Sequence, residues 1–165
     1  MRLLGLDVGD VRIGVAVCDS LETAAFPVGV VRRVGSLKRD AAAVAALATE
    51  QEAEGVVVGL PLSLDGEAGP QAQKTQGFAR ALANLLPVPV VTWDESLSSV
   101  EADEILIAQG VSRAKRRERI DQTAAALILE SYLAHRRATG APRDSLVNYS
   151  EVPDTPEAGS KGALH

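Results

Sequence analysis

Aromatic side chains are nearly absent: one Trp, two Tyr and two Phe among 165 residues, 3% in all. A core must therefore be assembled from Val, Leu, Ile and Ala. Cysteine is reduced to Cys18, so no internal disulfide can form, which suits a reducing cytosol. Within its strand-like run Cys18 reads as a small buried hydrophobe. The only histidines are His135 and His165. Neither has a neighbour at metal-ligand spacing, so neither is read as a metal ligand. His135 is expected to face solvent. Long apolar runs are missing too. The first one is interrupted by Asp7, and the Ala-rich stretch 41–48 is far too short to span a bilayer. The expectation is a cytoplasmic protein with no membrane partner. Excess positive charge is also lacking, with a net charge of −5. Any nucleic acid would have to be held by a local patch.

What is present fits one domain, with 46% apolar and 24% charged residues and enough chain to bury a core. Residues 3–6 read as a buried strand and 12–17 as a second, with Gly9 and Asp10 between them as turn chemistry. Together they predict an antiparallel hairpin. Residues 26–31 read as a third strand, at an edge because of Pro27 and Gly29. Ser36 offers an N-cap, and Leu37, Ala41, Val44, Leu47 and Ala48 recur at helical spacing. The apolar run 55–60, entered from that helix, reads as a parallel strand buried on both faces. After a loop over 61–69, Phe78, Leu82, Leu85 and Leu86 give a second helix its stripe.

Residues 88–93 read as the next parallel strand, ending at Asp94 and Glu95. Ser98 and Glu101 form a capping box for a third helix, ended by Gly110. Residues 111–119 read as a connector. Arg113, Lys115, Arg116, Arg117 and Arg119 stand there against Glu118 alone, a local charge of +4. A fourth helix runs from Ile120 to about Arg137, burying Ala124, Leu127, Ile128 and Leu133. Periodicity then vanishes. The domain is expected over 1–137, with 138–165 a mobile tail too poor in apolar surface to offset its ordering entropy. The order β-β-β-α-β-α-β-α-α implies an α/β protein. Its five-stranded mixed sheet joins a three-stranded meander to two parallel strands, with helices on its faces. The ribonuclease-H-like fold has this order, and the actin and Hsp70 ATPase fold begins the same way.

Three acids then draw attention. Asp7 and Glu95 end buried strands. Asp121 shares a helical face with Ala125 and Ile128, so it points inward. Small Ala124 and Ala125 let that helix approach the sheet, so Asp121 can reach both strand ends. Clustered carboxylates repel unless cations join them. Oxygen-only donors select Mg²⁺ or Mn²⁺. Two such ions roughly 4 Å apart can activate water and stabilise the leaving oxygen in phosphodiester cleavage. Each acid alone has an ordinary explanation: a turn cap, a solvated strand end, a helix N-terminus. The nuclease reading needs all three together. The basic residues 113–119 and Arg12 are then candidates for phosphate contact. Ser63 and Asp65, in the loop after the fourth strand, are candidates to touch substrate.

Four segments occur in order: DVGDVRIGVA at 7–16, VGLPL at 58–62 with Asp65-Gly66, Asp94-Glu95 with Leu97-Ser98 and Glu101-Ala102, and Ile120-Asp121 followed by AAALILE at 124–130. Together they resemble the YqgF family, also called RuvX, over about residues 1–135. The family comprises Holliday-junction resolvases linked to pre-16S rRNA processing. The resemblance implies a ribonuclease-H-like fold and a two-metal nuclease, with Asp7, Glu95 and Asp121 as metal-binding and catalytic acids. Asp7 would bridge the ions and the others complete one site each. Arg commonly follows the Asp-Glu pair in this family, and Ser96 stands there instead, which bears on phosphate affinity. The implied substrate is branched DNA or precursor rRNA. Symmetric cutting of a junction needs two active sites, hence a homodimer. Two other functions share parts of this pattern. One is an ATPase or sugar-kinase relative, although such proteins generally need two of these domains. The other is a non-catalytic nucleic-acid-binding factor in ribosome assembly.

Overall fold

The structure is a computed structural model. It describes residues 1–61, 69–94, 110, 113–140 and 146–148; for 113–122 it describes the backbone and not the side chains. Strands β1 (Leu3–Val8), β2 (Arg12–Cys18) and β3 (Ala25–Arg32) form the meander. Helix α1 (Leu37–Glu50) leads to β4 (Gly55–Leu60), and α2 (Pro70–Leu85) leads to β5 (Val90–Asp94). Helix α3 (Arg113–Thr139) closes the fold. The sheet order is β3-β2-β1-β4-β5. β1 pairs antiparallel with β2 and parallel with β4, which pairs parallel with β5. This is the expected mixed sheet, with β3 at an edge.

Strand alternation sorts the core into two layers. Leu4, Leu6, Val8, Ile13, Val15, Val17, Val56 and Val58 pack with Ala41, Val44 and Ala48 of α1 and Phe78 and Leu82 of α2. Leu3, Ala16, Cys18, Val57 and Val91 face the other way, against Ala125, Ile128, Leu129, Tyr132 and Leu133 of α3. The scarcity of aromatics is thus met by two layers of branched aliphatics, with Phe78 in one and Tyr132 in the other.

Several boundaries differ from expectation. Helix α3 begins at Arg113, so the basic stretch is helical rather than a connector. Arg, Lys, Glu and Ala are strong helix formers, and charge density masked that propensity. β5 starts at Val90, after Pro89, whose carbonyl still accepts from the Val56 amide at 3.0 Å. Leu127 is only half-buried and Leu129 takes the interior place. Leu85 is exposed. The expected helix over 98–110 lies outside the described residues, apart from Gly110. Within the stretch expected to be a tail, Leu146 packs against the α3-side core. Val147 O accepts from Tyr132 Oη at 2.8 Å, and Thr92 Oγ1 donates to Asn148 Oδ1 at 3.4 Å.

Candidate active site

Asp7 is the fifth residue of β1. Leu4, Leu6 and Val8 turn to the α1–α2 layer, while Leu3 turns to α3. A Cβ on Gly5 would meet Leu129 Cβ at 2.8 Å and the Ala125 carbonyl at 3.0 Å. Gly5 therefore also lies under α3, and by alternation Asp7 projects to that same side. It is half-buried.

Two landmarks fix how α3 crosses β1. Arg136 Nη2 lies 3.9 Å from Met1 Sδ, and Ala125 and Leu129 lie over Gly5. The helix thus runs antiparallel to the strand. A strand rises about 3.3 Å per residue and a helix about 1.5 Å. The two residues from Gly5 to Asp7 correspond to roughly four on the helix. That carries α3 back from Ala125 to the turn containing Asp121, level with Asp7. The register Leu6↔Val58 and Gly59↔Trp93 sets the end of β5 beside the same rim. Asp94 closes β5 there, and Glu95 follows it in the chain.

The acid pair Asp7 and Asp121 is thus brought to one level of the fold by backbone placement. Glu95 and Ser63 lie outside the described residues, as do the side chains of Asp121, Arg113, Lys115, Arg116, Arg117 and Arg119. Arg12 opens β2 and shares its face with Ala16 and Cys18, so it stands on the α3 side beside Asp7. Among the described residues no group of three or more His, Cys, Asp or Glu could hold a metal ion. His135 is exposed, as expected, with its ring 5.1 Å from that of Trp93. Cys18 is buried, and burial pushes its thiol pKa up.

One feature of the site was missed in the sequence. The turn after Asp7 is tied down from outside the hairpin. Arg33 Nη1 donates to Gly9 O at 3.0 Å and Arg33 Nε donates to Asp40 Oδ2 at 3.0 Å. The Val34 amide donates to Asp40 Oδ1 at 2.9 Å and the Arg33 amide to Val11 O at 2.9 Å. The guanidinium also lies over the Phe78 ring, 5.5 Å from its centroid. Asp40 is 2% exposed. An Asp on the face of α1 that otherwise carries Ala41, Val44 and Ala48 was the available signal.

Residues 1–135 match the sequence profile of the RuvX family, described as Holliday junction resolvase. The chain belongs to the RuvX family. A RuvX relative from Myxococcus xanthus, described as "Putative pre-16S rRNA nuclease", is 52% identical over 137 residues, covering 82% of this chain and 90% of its own. One from Syntrophus aciditrophicus with the same description is 47% identical, covering 81% and 88%. Among solved structures, Thermus thermophilus RuvC in complex with a Holliday junction substrate superposes with a TM-score of 0.55 at 21% identity, covering 84% of this chain and 97% of RuvC. At that identity the likeness establishes that this RuvX chain has the RuvC fold, ribonuclease-H-like as its motifs imply.

Proposed function

We propose that this RuvX protein is a divalent-metal-dependent nuclease. It hydrolyses phosphodiester bonds in structured nucleic acid, either four-way DNA junctions or the 5′ end of precursor 16S rRNA. The observation that carries this reading is the place of Asp7, aimed at α3 on the level of the Asp121 turn. The family match and the nuclease descriptions of its relatives support it.

Asp7, Glu95 and Asp121 would offer carboxylate oxygens alone, a donor set that suits Mg²⁺ or Mn²⁺. When bound, two such ions supply charge neutralisation at the phosphate and acidify the attacking water. The chain's own contribution is placement. Asp7 is held on the stiff centre of the sheet, between β2 and β4. Arg12 faces the same side, where its guanidinium can engage a phosphate oxygen. The basic first turns of α3 lie just N-terminal to Asp121, so cationic side chains precede the acid along one helix. In the reaction the water oxygen bonds to phosphorus as the P–O3′ bond breaks. The products are a 5′-phosphate and a 3′-hydroxyl, the departing oxygen taking up a proton.

A cleavage panel with Mg²⁺ and Mn²⁺ tests the reading on a four-way junction, single-stranded DNA and structured RNA, with ATP as a separate substrate. Asp7→Asn is expected to lower cleavage about a thousandfold, equivalent to ~4 kcal/mol of barrier, with fold and substrate binding kept. Turnover retained by Asp7→Asn in a clean preparation rejects the assignment, and ATP hydrolysis in place of cleavage favours the ATPase relative. Paired incisions at a junction are expected to require two copies of the chain.

A further inference from the structure

The end of β1 that carries Asp7 is held differently from its start. The ladder with β4 runs from Leu3 to Leu6, while the ladder with β2 runs on through Asp7 and Val8. Asp7 therefore depends on the hairpin with β2 for its place. That hairpin closes tightly. The Gly9 amide donates to Arg12 O at 2.9 Å, and a Cβ on Gly9 would meet the same oxygen at 2.7 Å.

Arg33 grips both limbs of the turn. Its guanidinium donates to Gly9 O and its amide to Val11 O. The guanidinium also pairs with Asp40 of α1 and lies over Phe78 of α2, both buried. Phe78 belongs to the α1–α2 layer, so Arg33 braces the turn from the sheet face opposite the one Asp7 projects from. Its side chain is 18% exposed. The other tie on the tip, Lys74 Nζ to Asp10 Oδ1 at 4.0 Å, joins side chains 69% and 67% exposed, where solvent leaves little net attraction. Arg33 is therefore the anchor of the turn.

We propose that Arg33 is a positioning residue for the metal site. From the far face of the sheet it fixes the β1–β2 turn, and with it the carboxylate of Asp7. It acts through the backbone of the turn, while Asp40 and Phe78 lock the orientation of its guanidinium. A carboxylate that shares cations has to be held within about 0.5 Å of its working place, and a turn free to shift would lose that precision. This inference rests on the nuclease reading.

The test compares Mn²⁺ binding without substrate, read as free Mn²⁺ by electron paramagnetic resonance, in full chains that differ only at Arg33. Removing the guanidinium alone would strand the buried Asp40 carboxylate, so Asp40→Asn is the parent. Adding Arg33→Met is expected to weaken Mn²⁺ binding several-fold. The affinity for a four-way DNA junction, measured without metal, should stay close to the parent's. Adding Arg33→Lys instead should recover part of the loss, because an ammonium can still donate to the Gly9 carbonyl. Mn²⁺ affinity of the Arg33→Met double variant equal to its parent's overturns the positioning role and leaves the nuclease reading standing. Equal loss of Mn²⁺ and junction affinity also overturns it, since a general disturbance of the fold would produce that. A wild-type chain that binds no Mn²⁺ and leaves junction and RNA uncut overturns both.

Discussion

Asp40 shows what a single buried charge does here. Its carboxylate joins the start of α1 to the end of β3 and, through Arg33, to the Gly9 carbonyl. The Val34 amide, followed by the Arg33 guanidinium, holds its pKa below the ordinary Asp value against the cost of desolvation. A carboxyl whose pKa is lowered by folding stabilises the native state above its unfolded pKa of about 3.9, and that contribution is lost as pH falls through the lower folded value. Asp40→Asn is therefore expected to cost about 1.5–3 kcal/mol at neutral pH, the worth of charge-assisted hydrogen bonds. The gap from wild type should close in acid as pH drops below 4. Urea unfolding at several pH values measures it, and a gap that is constant with pH contradicts the ionic account. The proposed role of Asp7 predicts the opposite sign: a carboxylate that shares cations with two others would be a cost without them. Asp7→Asn should thus raise the metal-free melting temperature while lowering cleavage about a thousandfold. A lower melting temperature would show that Asp7 is structural.

At the scale of elements, the decisive contact is α3 on β1. Gly5 is the point of closest approach, where an added methyl meets the Leu129 side chain and the Ala125 carbonyl. Gly5→Ala should cost about 1–3 kcal/mol by overpacking. By lifting the Asp121 turn away from Asp7, it should also depress cleavage more than junction binding. Gly29→Ala, which meets nothing within 4 Å, serves as the control, measured by thermal unfolding beside single-turnover cleavage. Equal effects at the two glycines would refute the close-approach argument. The same contact shows what sequence could reveal. Period-two and period-3.6 patterns gave all five strands and the apolar face of α3, since burial acts on side chains in regular order. The small residues Ala124 and Ala125 announced a close helix, but its partner Gly5 read only as part of a strand. The start of α3 was missed because five cations concealed a helix-forming stretch. The Arg33–Asp40 tie was missed because it joins residues whose meeting depends on the turn between β3 and α1, which no periodicity encodes. Asp7 draws attention in the sequence because a charge among leucines and valines stands out, and in the structure it is a half-buried residue of β1.

For the whole molecule, the open question of architecture is where the folded unit stops. A sheet presents unpaired groups at both edges, and proteins blunt or cover them. β3 carries Pro27. At β5 the chain itself crosses over. Leu146 lies on the α3 side, while Asn148 meets Thr92 and lines, with Gln76 and Arg80 of α2, a cavity of about 380 Å³ on the opposite side. A Cβ on Gly55 would overlap Leu146 Cδ1, so the glycine at the start of β4 leaves the space that Leu146 fills. Residues 146–148 therefore act as a strap around the β5 edge, and the composition of 138–165 hid it because three anchoring residues do not form a periodic pattern. Leu146→Ala should cost about 1–2 kcal/mol, less than for a fully enclosed leucine, and lower the melting temperature by roughly 2–4 °C per kcal/mol. A chain ending at residue 140 also loses the Tyr132–Val147 bond and should melt lower still. Because β5 runs into Asp94 and Glu95, loosening its edge should reduce cleavage near the melting range while leaving Asp7-dependent activity intact well below it. A truncated chain that melts with the full one would return residues 141–165 to the status of a tail.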